Sequence, residues 1–176
     1  MIAQLETPVD FVSPIHGLEG LIQVFTSSQR TFFTGVMAQA LRIAGQGKKV
    51  LIVQFLKGGI KEGHERCVHL GQNLDWLRCD VPRCIDTPHL DAGETEALQK
   101  LWSYTQEVVS AGDYDLVVLD ELSLAINFGL IEQQEVLNFL EKRPANIDVI
   151  LTGPEMPEAI LAIADQITEI RRSHQP

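Results

Sequence analysis

The chain has 176 residues, 45% of them hydrophobic, and its formal net charge at pH 7 is −10. That length fits a single domain, and such a chain buries roughly 70% of the surface it exposes when unfolded, so its core needs no metal or disulfide. No Lys/Arg cluster offsets the acidity. This argues against a nucleic-acid partner, which requires basic residues to displace phosphate counterions. We interpret the acidity as a solubility feature.

The cysteines indicate a reducing compartment. Cys67, Cys79 and Cys84 are odd in number and form no Cys-x-x-Cys pair, which is typical of free thiols in a cytoplasmic protein. With His64 they could be drawn as a zinc site, but their spacing fits no standard template. No apolar run reaches the ~20 residues of a membrane span, and the N-terminus lacks the features of a signal peptide. We therefore expect a cytoplasmic protein with no membrane partner.

Residues 1–19 predict an irregular N-terminal arm because prolines and a glycine interrupt them, and residues 20–176 predict one α/β domain. In that domain, apolar runs of strand length alternate with helical patterns. The predicted strands are 20–26, 50–55, 74–78, 115–120, 147–152 and 166–170, and the predicted helices are 33–44, 65–70, 91–111, 132–141 and 157–164. Such alternation builds a mostly parallel sheet with helices on both faces.

The loop after the first strand lies where a phosphate-binding P-loop would be found. In a P-loop, written Gly-x-x-x-x-Gly-Lys-Ser/Thr, glycines let backbone N–H groups surround phosphate and the lysine reaches the outer phosphates. This loop has no glycine, and Phe32 and Phe33 stand at the lysine and hydroxyl positions. Its polar side chains are candidates to hold an anion at the helix N-terminus: Thr26, Ser27, Ser28, Gln29, Arg30, Thr31 and Thr34.

The alternative for this loop is purely structural. Its hydroxyl groups would then cap the following helix while the two phenylalanines pack into the core. A hydroxyl-rich loop before a helix needs no ligand to explain it. On the sequence alone we favour this structural interpretation.

Two later strand ends complete the candidate site. The stretch 116–121 has the form of a Walker B strand, whose terminal carboxylates face the phosphate loop and steer magnesium. Asp120 and Glu121 are therefore the candidate magnesium ligands. The stretch 150–154 is a further strand end at the same edge, where an open parallel sheet binds its ligands.

Together these segments resemble the P-loop ATP:corrinoid adenosyltransferases, which move the adenosyl group of ATP onto the cobalt of a reduced corrinoid (cobalamin). The resemblance runs from about residue 20 to residue 171. Its most specific segments are 41–50, 53–58, 117–121 with the helix after it, 142–144 leading to 151–153, and 164–171. It implies the three-layer P-loop NTPase-like (RecA-like) fold, with MgATP and a corrinoid as ligands and a homodimer as the assembly.

The resemblance also assigns individual residues. Arg42 matches a residue near the nucleotide in the family, and Asp120 and Glu121 match the family's carboxylates. Glu65 loosely matches the acidic residue of the family's Gly-Glu element.

Departures from the family pattern bear on activity. The family's phosphate loop aligns onto Ser27 through Thr34, and of its Gly-Lys-Thr-Thr ending only Thr34 is retained. The family's Phe-x-Trp element, which helps displace the lower cobalt ligand, would fall at 81–89, where no aromatic residue stands. Pro154 or Glu155 replaces the arginine after the family's Thr-Gly. Losing the lysine and several loop amides removes on the order of 5 kcal/mol of phosphate binding, about four decades in affinity.

The sequence thus predicts a family member with a degenerate nucleotide site. We expect a pseudoenzyme, a non-catalytic binding or regulatory module with a protein or small-ligand partner and little MgATP affinity. The alternative is an active ATP:cob(I)alamin adenosyltransferase with a rebuilt phosphate loop, which predicts MgATP binding that depends on Arg30 and Glu121.

Overall fold

The computed structural model describes residues 19–59, 65 and 67–171. The predicted N-terminal arm up to residue 18 and His64 lie outside this part. The strands are β1 (Ile22–Ser27), β2 (Val50–Gln54), β3 (Val68–Leu70), β4 (Leu74–Arg78), β5 (Leu116–Asp120), β6 (Asp148–Pro154) and β7 (Gln166–Ile170). The helices are α1 (Thr34–Gly45), α2 (Ala92–Ser110), α3 (Leu122–Asn127), α4 (Gln133–Lys142) and α5 (Glu158–Leu161).

One sheet organises the described residues, with the strand order β3-β4-β2-β5-β6-β1-β7. Its strand pairs are parallel except for β3 and β4. β2 and β5 are buried at every position, as expected for parallel strands that are covered on both faces. The predicted α/β class is therefore confirmed. No helix in the described ranges is both long and apolar enough to cross a bilayer.

Alternating residues of the central strands enter two separate cores. Val50 and Ile52 of β2 pack on one face with the buried side of α1. Leu51 and Val53 face the other way and join a core that contains Trp102 of α2 and apolar residues of α3, α4 and α5. This two-residue period is the reason that the sheet carries helices on both faces.

Most predicted elements are confirmed, with differences of up to three residues at their ends. The helix predicted at 65–70 is wrong where it is described, because Val68–Leu70 forms strand β3. That strand pairs with β4 through a turn in which Gly71 has a φ of 69°. A three-residue strand is too short for its own periodicity to identify it, so the neighbouring strand decides its conformation.

Helix α3 was not among the elements predicted in chain order. It begins directly after β5, without the glycine or proline that usually marks such a junction. Glu121 makes the turn instead, with a left-handed φ of 61°. A non-glycine residue rarely adopts that conformation, so local sequence signals did not predict it.

Three aspartates connect neighbouring segments at the amino ends of the strands by hydrogen bonds. Asp115 accepts the backbone N–H of Lys49 at 2.8 Å and the Lys48 amine at 3.1 Å, which links the starts of β2 and β5. Asp148 and Asp165 each accept an N–H from the chain that enters β1, at 2.8 and 2.7 Å. These carboxylates lie at the opposite end of the sheet from the strand ends where a ligand would bind.

We expect the Asp115→Asn variant to be about 1 kcal/mol less stable than the wild type near neutral pH, with the difference vanishing in acid. The Lys49 N–H, and then the Lys48 amine, hold the pKa of Asp115 below its usual range. A carboxyl with a lowered pKa stabilises the fold above its unfolded pKa, and this contribution is lost as pH falls through the folded value. Urea unfolding at about pH 7, 5 and 3 measures the difference.

The exposed neighbour Asp113 supplies a matched control, because Asp113→Asn removes a charge from the same loop. We expect that variant to stay within about 0.5 kcal/mol of the wild type. A loss in Asp115→Asn that is equal at all three pH values would contradict the electrostatic explanation.

Candidate functional site

The carboxyl ends of four parallel strands meet at one edge of the sheet. β6 lies between β1 and β5, and β2 lies on the other side of β5. The loop after β1 therefore reaches across the end of β6 to the end of β5. This topology brings Arg30 to Glu121, although the two residues are 91 positions apart.

Arg30 and Glu121 form a two-point ion pair. Nε of Arg30 donates to Oε1 of Glu121 at 2.5 Å, and Nη2 donates to Oε2 at 2.7 Å. The third guanidinium nitrogen, Nη1, donates to the carbonyl oxygen of Ile85 at 2.9 Å. The hydrogen bonds that Arg30 donates to Glu121 raise the pKa of Arg30, while partial burial opposes the shift. Paired charge-assisted bonds of this kind fix both side chains in orientation.

Asp120, the last residue of β5, is 1% exposed, and both of its carboxylate oxygens accept hydrogen bonds. The Lys57 amine and the Gln54 amide each donate to Oδ2 at 2.7 Å. The Thr152 hydroxyl donates to Oδ1 at 2.8 Å. A buried carboxylate requires such a cation and such donors, since an unpaired buried charge is strongly unfavourable.

Three further contacts position the partners of Asp120. The Gln54 side-chain oxygen accepts hydrogen bonds from Trp76 at 2.9 Å and from Arg78 at 2.8 Å. The Lys57 amine lies 4.5 Å from the centroid of the Phe32 ring, within the range of a cation–π interaction. Phe32, which the sequence aligns with the P-loop lysine, is uncharged and lies against Lys57, a lysine that follows β2.

The end of β6 packs tightly against the junction of β5 and α3. Thr152 accepts the Glu121 N–H at 3.0 Å through the same hydroxyl that donates to Asp120. Gly153 follows with a φ of 137°, and a Cβ there would lie 2.2 Å from the Ser123 hydroxyl oxygen. No larger residue fits at this position. The close packing holds the two adjacent carboxylates at a fixed place.

The first hydroxyls of the loop bond to nearby backbone. Thr26 donates to the carbonyl of Gly153 at 2.9 Å, and Ser27 donates to the carbonyl of Gln29 at 2.6 Å. Thr34 is exposed at the first residue of α1. Thr26 and Ser27 therefore hold the shape of the strand end.

The middle of the loop borders a cavity of about 330 Å³. Ser28, Gln29 and Thr31 line it on one side, and the end of β7 with Arg171 lines it on the other. A cavity of this size lies at the lower end of the range for small-ligand pockets.

The capping interpretation of the loop is wrong for the described helix. The residue before α1 is Phe33, and no side chain caps the helix there. Phe33 packs into the core, as predicted, with its ring 6.5 Å from that of Phe25. Phe32 is 52% exposed instead of buried. The physical reason is the ion pair between Arg30 and Glu121. Because of this pair, the loop lies across the strand ends and not over the helix terminus.

Arg42 does not lie at this edge of the sheet. Arg42 is exposed in the last turn of α1, about 12 Å along the helix from its first residue. Glu65 is exposed, and the pKa of Lys100 on α2 is raised, first by Glu96 and in smaller part by the charge of Glu65. The nucleotide-side roles of both residues stay predictions.

The loop at 81–89 lies beside the site and contacts it through backbone. A Cβ at Gly58 would lie 2.3 Å from the carbonyl oxygen of Val81, so this loop packs directly on the segment after β2. The carbonyl of Ile85 is the group that accepts from Arg30. The segment where the family's Phe-x-Trp element would fall is therefore an immediate neighbour of the phosphate-loop position.

The cysteines are free thiols in the structure, as the sequence predicted. Cys79 is fully buried in the core and Cys84 is exposed on the neighbouring loop, so they do not meet Cys67 as zinc ligands. Burial raises the pKa of Cys67 to about 11 and that of Cys79 to about 12. Neither is a thiolate nucleophile at neutral pH.

Sequence reasoning assigned no role to several partners of the two carboxylates. Gln54, Lys57 and Thr152 each contact Asp120, and Ile85 contacts Arg30 through its backbone. The signal that could have found the first three is their place at strand ends of a parallel sheet, where functional groups collect. A backbone carbonyl leaves no such signal.

Comparison with known proteins agrees with this architecture. The family model described as "ATP:corrinoid adenosyltransferase BtuR/CobO/CobP" matches residues 18–176. The chain is 31% identical over 152 residues to the "Corrinoid adenosyltransferase" of Escherichia coli strain K12, covering 86% of this chain and 76% of that protein. It has the same identity and coverage with "Corrinoid adenosyltransferase CobA" of Salmonella typhimurium. An "Uncharacterized protein" of Nostoc sp. is 25% identical over 175 residues, which cover 90% of this chain and 46% of the Nostoc protein. From the family match and these identities, we conclude that the chain belongs to the ATP:corrinoid adenosyltransferase family.

Proposed function

We propose that this chain is a non-catalytic member of the corrinoid adenosyltransferase family that acts as a binding or regulatory module. The observation that carries the proposal is the pairing of both strand-end carboxylates with cations of the chain itself. Glu121 pairs with Arg30, and Asp120 pairs with Lys57 at 2.7 Å. The carboxylates that would steer magnesium and the cations that would contact phosphate therefore form ion pairs with one another.

The donor set supports this proposal when it is tested against magnesium. Mg²⁺ requires oxygen ligands at 2.0–2.1 Å in near-octahedral geometry. Both oxygens of Glu121 accept from the Arg30 guanidinium, and both oxygens of Asp120 accept from protein donors. An ion at either carboxylate would have to displace a cation or lie against one, so the residues as arranged do not fit magnesium.

The charge balance around the loop also supports the proposal. A triphosphate needs uncompensated positive charge and inward-facing amides, each contributing about 1.5–3 kcal/mol. Here the cations Arg30 and Lys57 are already compensated by two carboxylates. Phe32, at the lysine position, adds a half-exposed apolar ring that disfavours a bound polyanion. The small cavity beside Ser28 suits a small polar ligand better than a nucleotide.

The alternative is an active ATP:corrinoid adenosyltransferase with a rebuilt phosphate loop. Its support is the 31% identity, over 86% of this chain, to proteins named corrinoid adenosyltransferases. In that case Arg30 would leave Glu121 and contact phosphate when the nucleotide binds. The two-point pair would then be a resting arrangement, and nucleotide affinity would depend on both residues.

The proposal includes a homodimer, which the family resemblance implies, and a protein partner, which follows from the non-catalytic interpretation. Light scattering on the purified chain tests the assembly, with a mass of about twice 19.6 kDa as the expected result. A monomeric mass would remove the homodimer from the proposal.

We expect no measurable heat when MgATP is titrated into the wild-type protein up to millimolar concentration. The reason is that the cations and carboxylates at these strand ends already pair with one another. We likewise expect no adenosyl transfer to a reduced corrinoid above the enzyme-free background. Isothermal calorimetry and a spectrophotometric transfer assay measure the two results. The Escherichia coli relative, run in parallel, verifies that the assay conditions support the reaction.

Micromolar MgATP binding would favour the alternative if it weakens at least tenfold in both Arg30→Gln and Glu121→Gln. Glu141→Gln, which neutralises an exposed carboxylate of α4, provides the matched control. Equal MgATP affinity in all three variants would mean that the nucleotide binds away from Arg30 and Glu121. That result would contradict both the proposal and the alternative.

We expect Arg30→Gln to destabilise the fold by about 2–3 kcal/mol, because it leaves a buried Glu121 carboxylate without its cation. Glu121 is 4% exposed in the pair and Arg30 is 34% exposed, so the loss lies below that of a fully buried pair. Urea unfolding measures it, and a double-mutant cycle with Glu121→Gln isolates the coupling between the two side chains.

Arg42→Gln is the control for this cycle, since it removes an exposed arginine of α1 and should change stability by no more than about 0.5 kcal/mol. Millimolar Mg²⁺ should restore part of the stability of Arg30→Gln by replacing the lost cation at Glu121, and it should not affect the wild type. Equal effects of Mg²⁺ on both proteins would contradict this account of the pair.

A further inference from the structure

The antiparallel hairpin at the edge of the sheet gathers three metal-ligating side chains. Cys67 directly precedes β3 and stands two residues before His69, a spacing that places both side chains on one face of an extended chain. His69 is the direct register partner of Asp75 in β4. The thiol sulfur, an imidazole nitrogen and a carboxylate oxygen all lie within 4.8 Å of one another.

We propose that Cys67, His69 and Asp75 form a binding site for a divalent metal ion, with Zn²⁺ as the ion that these donors favour. Thiolate, imidazole and carboxylate are the donor types of protein zinc sites, and three protein ligands leave a fourth position for water or another ligand. Binding of the ion would displace the Cys67 thiol proton to water, and the resulting thiolate disfavours Mg²⁺ and Ca²⁺, which select oxygen donors. This site is independent of the proposed function, because it lies at the β3 edge and not at the ends of β1 and β5.

The contact between His69 and Asp75 occupies the place where the ion would bind. The imidazole Nδ1 lies 2.6 Å from Oδ1 of Asp75. In a tetrahedral zinc site, donors at 2.0–2.1 Å from the metal are separated by about 3.3 Å. The two atoms need to part by less than about 1 Å, and the His69 side chain is 70% exposed and can move.

A hydrogen bond from Tyr114 already orients the carboxylate of Asp75. The Tyr114 hydroxyl donates to Oδ2 of Asp75 at 2.7 Å, which leaves Oδ1 directed to His69. Outer hydrogen bonds of this kind are typical of metal-binding carboxylates. A cavity of about 400 Å³, lined by His69, Asp75, Tyr114 and Lys49 among others, borders the cluster and gives water access to the fourth position.

The competing explanation is a hydrogen-bonded surface cluster that holds no ion. It accounts for the His69–Asp75 and Tyr114–Asp75 contacts, and it makes Cys67 only a partly buried residue that packs against the core. Within the described ranges, the hydrogen-bond contacts of the Cys67 sulfur are long ones to backbone oxygens, at 3.9 and 4.0 Å. A metal probe that reports sulfur coordination therefore separates the two explanations.

The test is a titration of the full chain, freed of metal by a chelator, with Co²⁺ as a spectroscopic probe for Zn²⁺. We expect one equivalent of Co²⁺ to produce a near-ultraviolet sulfur-to-cobalt charge-transfer band and visible bands of four-coordinate cobalt, which one equivalent of Zn²⁺ then abolishes. Cys67→Ser should lose the charge-transfer band. Cys84→Ser, which removes an exposed thiol outside the cluster, should keep it.

Two milder variants keep the test decisive if Cys67→Ser does not fold. His69→Gln, at an exposed position, should weaken cobalt binding by at least tenfold. Tyr114→Phe should weaken it by roughly 10- to 100-fold, because it removes the hydrogen bond that orients Asp75. Circular dichroism verifies that each variant is folded. The proposal is overturned if no stoichiometric cobalt binds, if the band survives in Cys67→Ser, or if Cys84→Ser loses it.

Discussion

The arrangement of the site depends on the ion pair between Arg30 and Glu121. This pair crosses the end of β6 and fixes the path of the loop after β1, which a phosphate would otherwise organise. It also supports the loop at 81–89 through the Ile85 carbonyl. Because Glu121 is buried, the pair cannot open without exposing or neutralising a charge, so the loop is held in one place by the chain itself.

The two ends of the sheet use carboxylates in different ways. At the amino ends, Asp115, Asp148 and Asp165 accept backbone N–H groups and hold neighbouring segments together. At the carboxyl ends, Asp120 and Glu121 pair with side-chain cations that come from separate loops. The first kind of contact stabilises the fold. The second kind lies where members of this fold class bind their ligands, and therefore governs which ligand the edge accepts.

Family membership and the chemistry of the site are separate questions for this chain. The family match extends over nearly all of it, while the loss of the P-loop lysine and hydroxyl at Phe32 and Phe33 is a prediction from the sequence. A fold can be retained while the groups that perform a reaction are lost, because packing depends on the core and catalysis on a few side chains at its edge. The β3–β4 hairpin, with its Cys67, His69 and Asp75 cluster, is a second place where this chain could have acquired chemistry of its own.

The sequence by itself determined the α/β class, the strand at 74–78, the strand at 166–170 and the family. These features follow from local apolar periodicity and from motifs that are contiguous in the chain. Only the tertiary structure decided that Arg30 reaches Glu121 and that Lys57 reaches Asp120, because strand order sets which loops meet. Within the helix predicted at 65–70, the structure has a strand at Val68–Leu70, because pairing with a neighbouring strand outweighs the weak propensity of three residues.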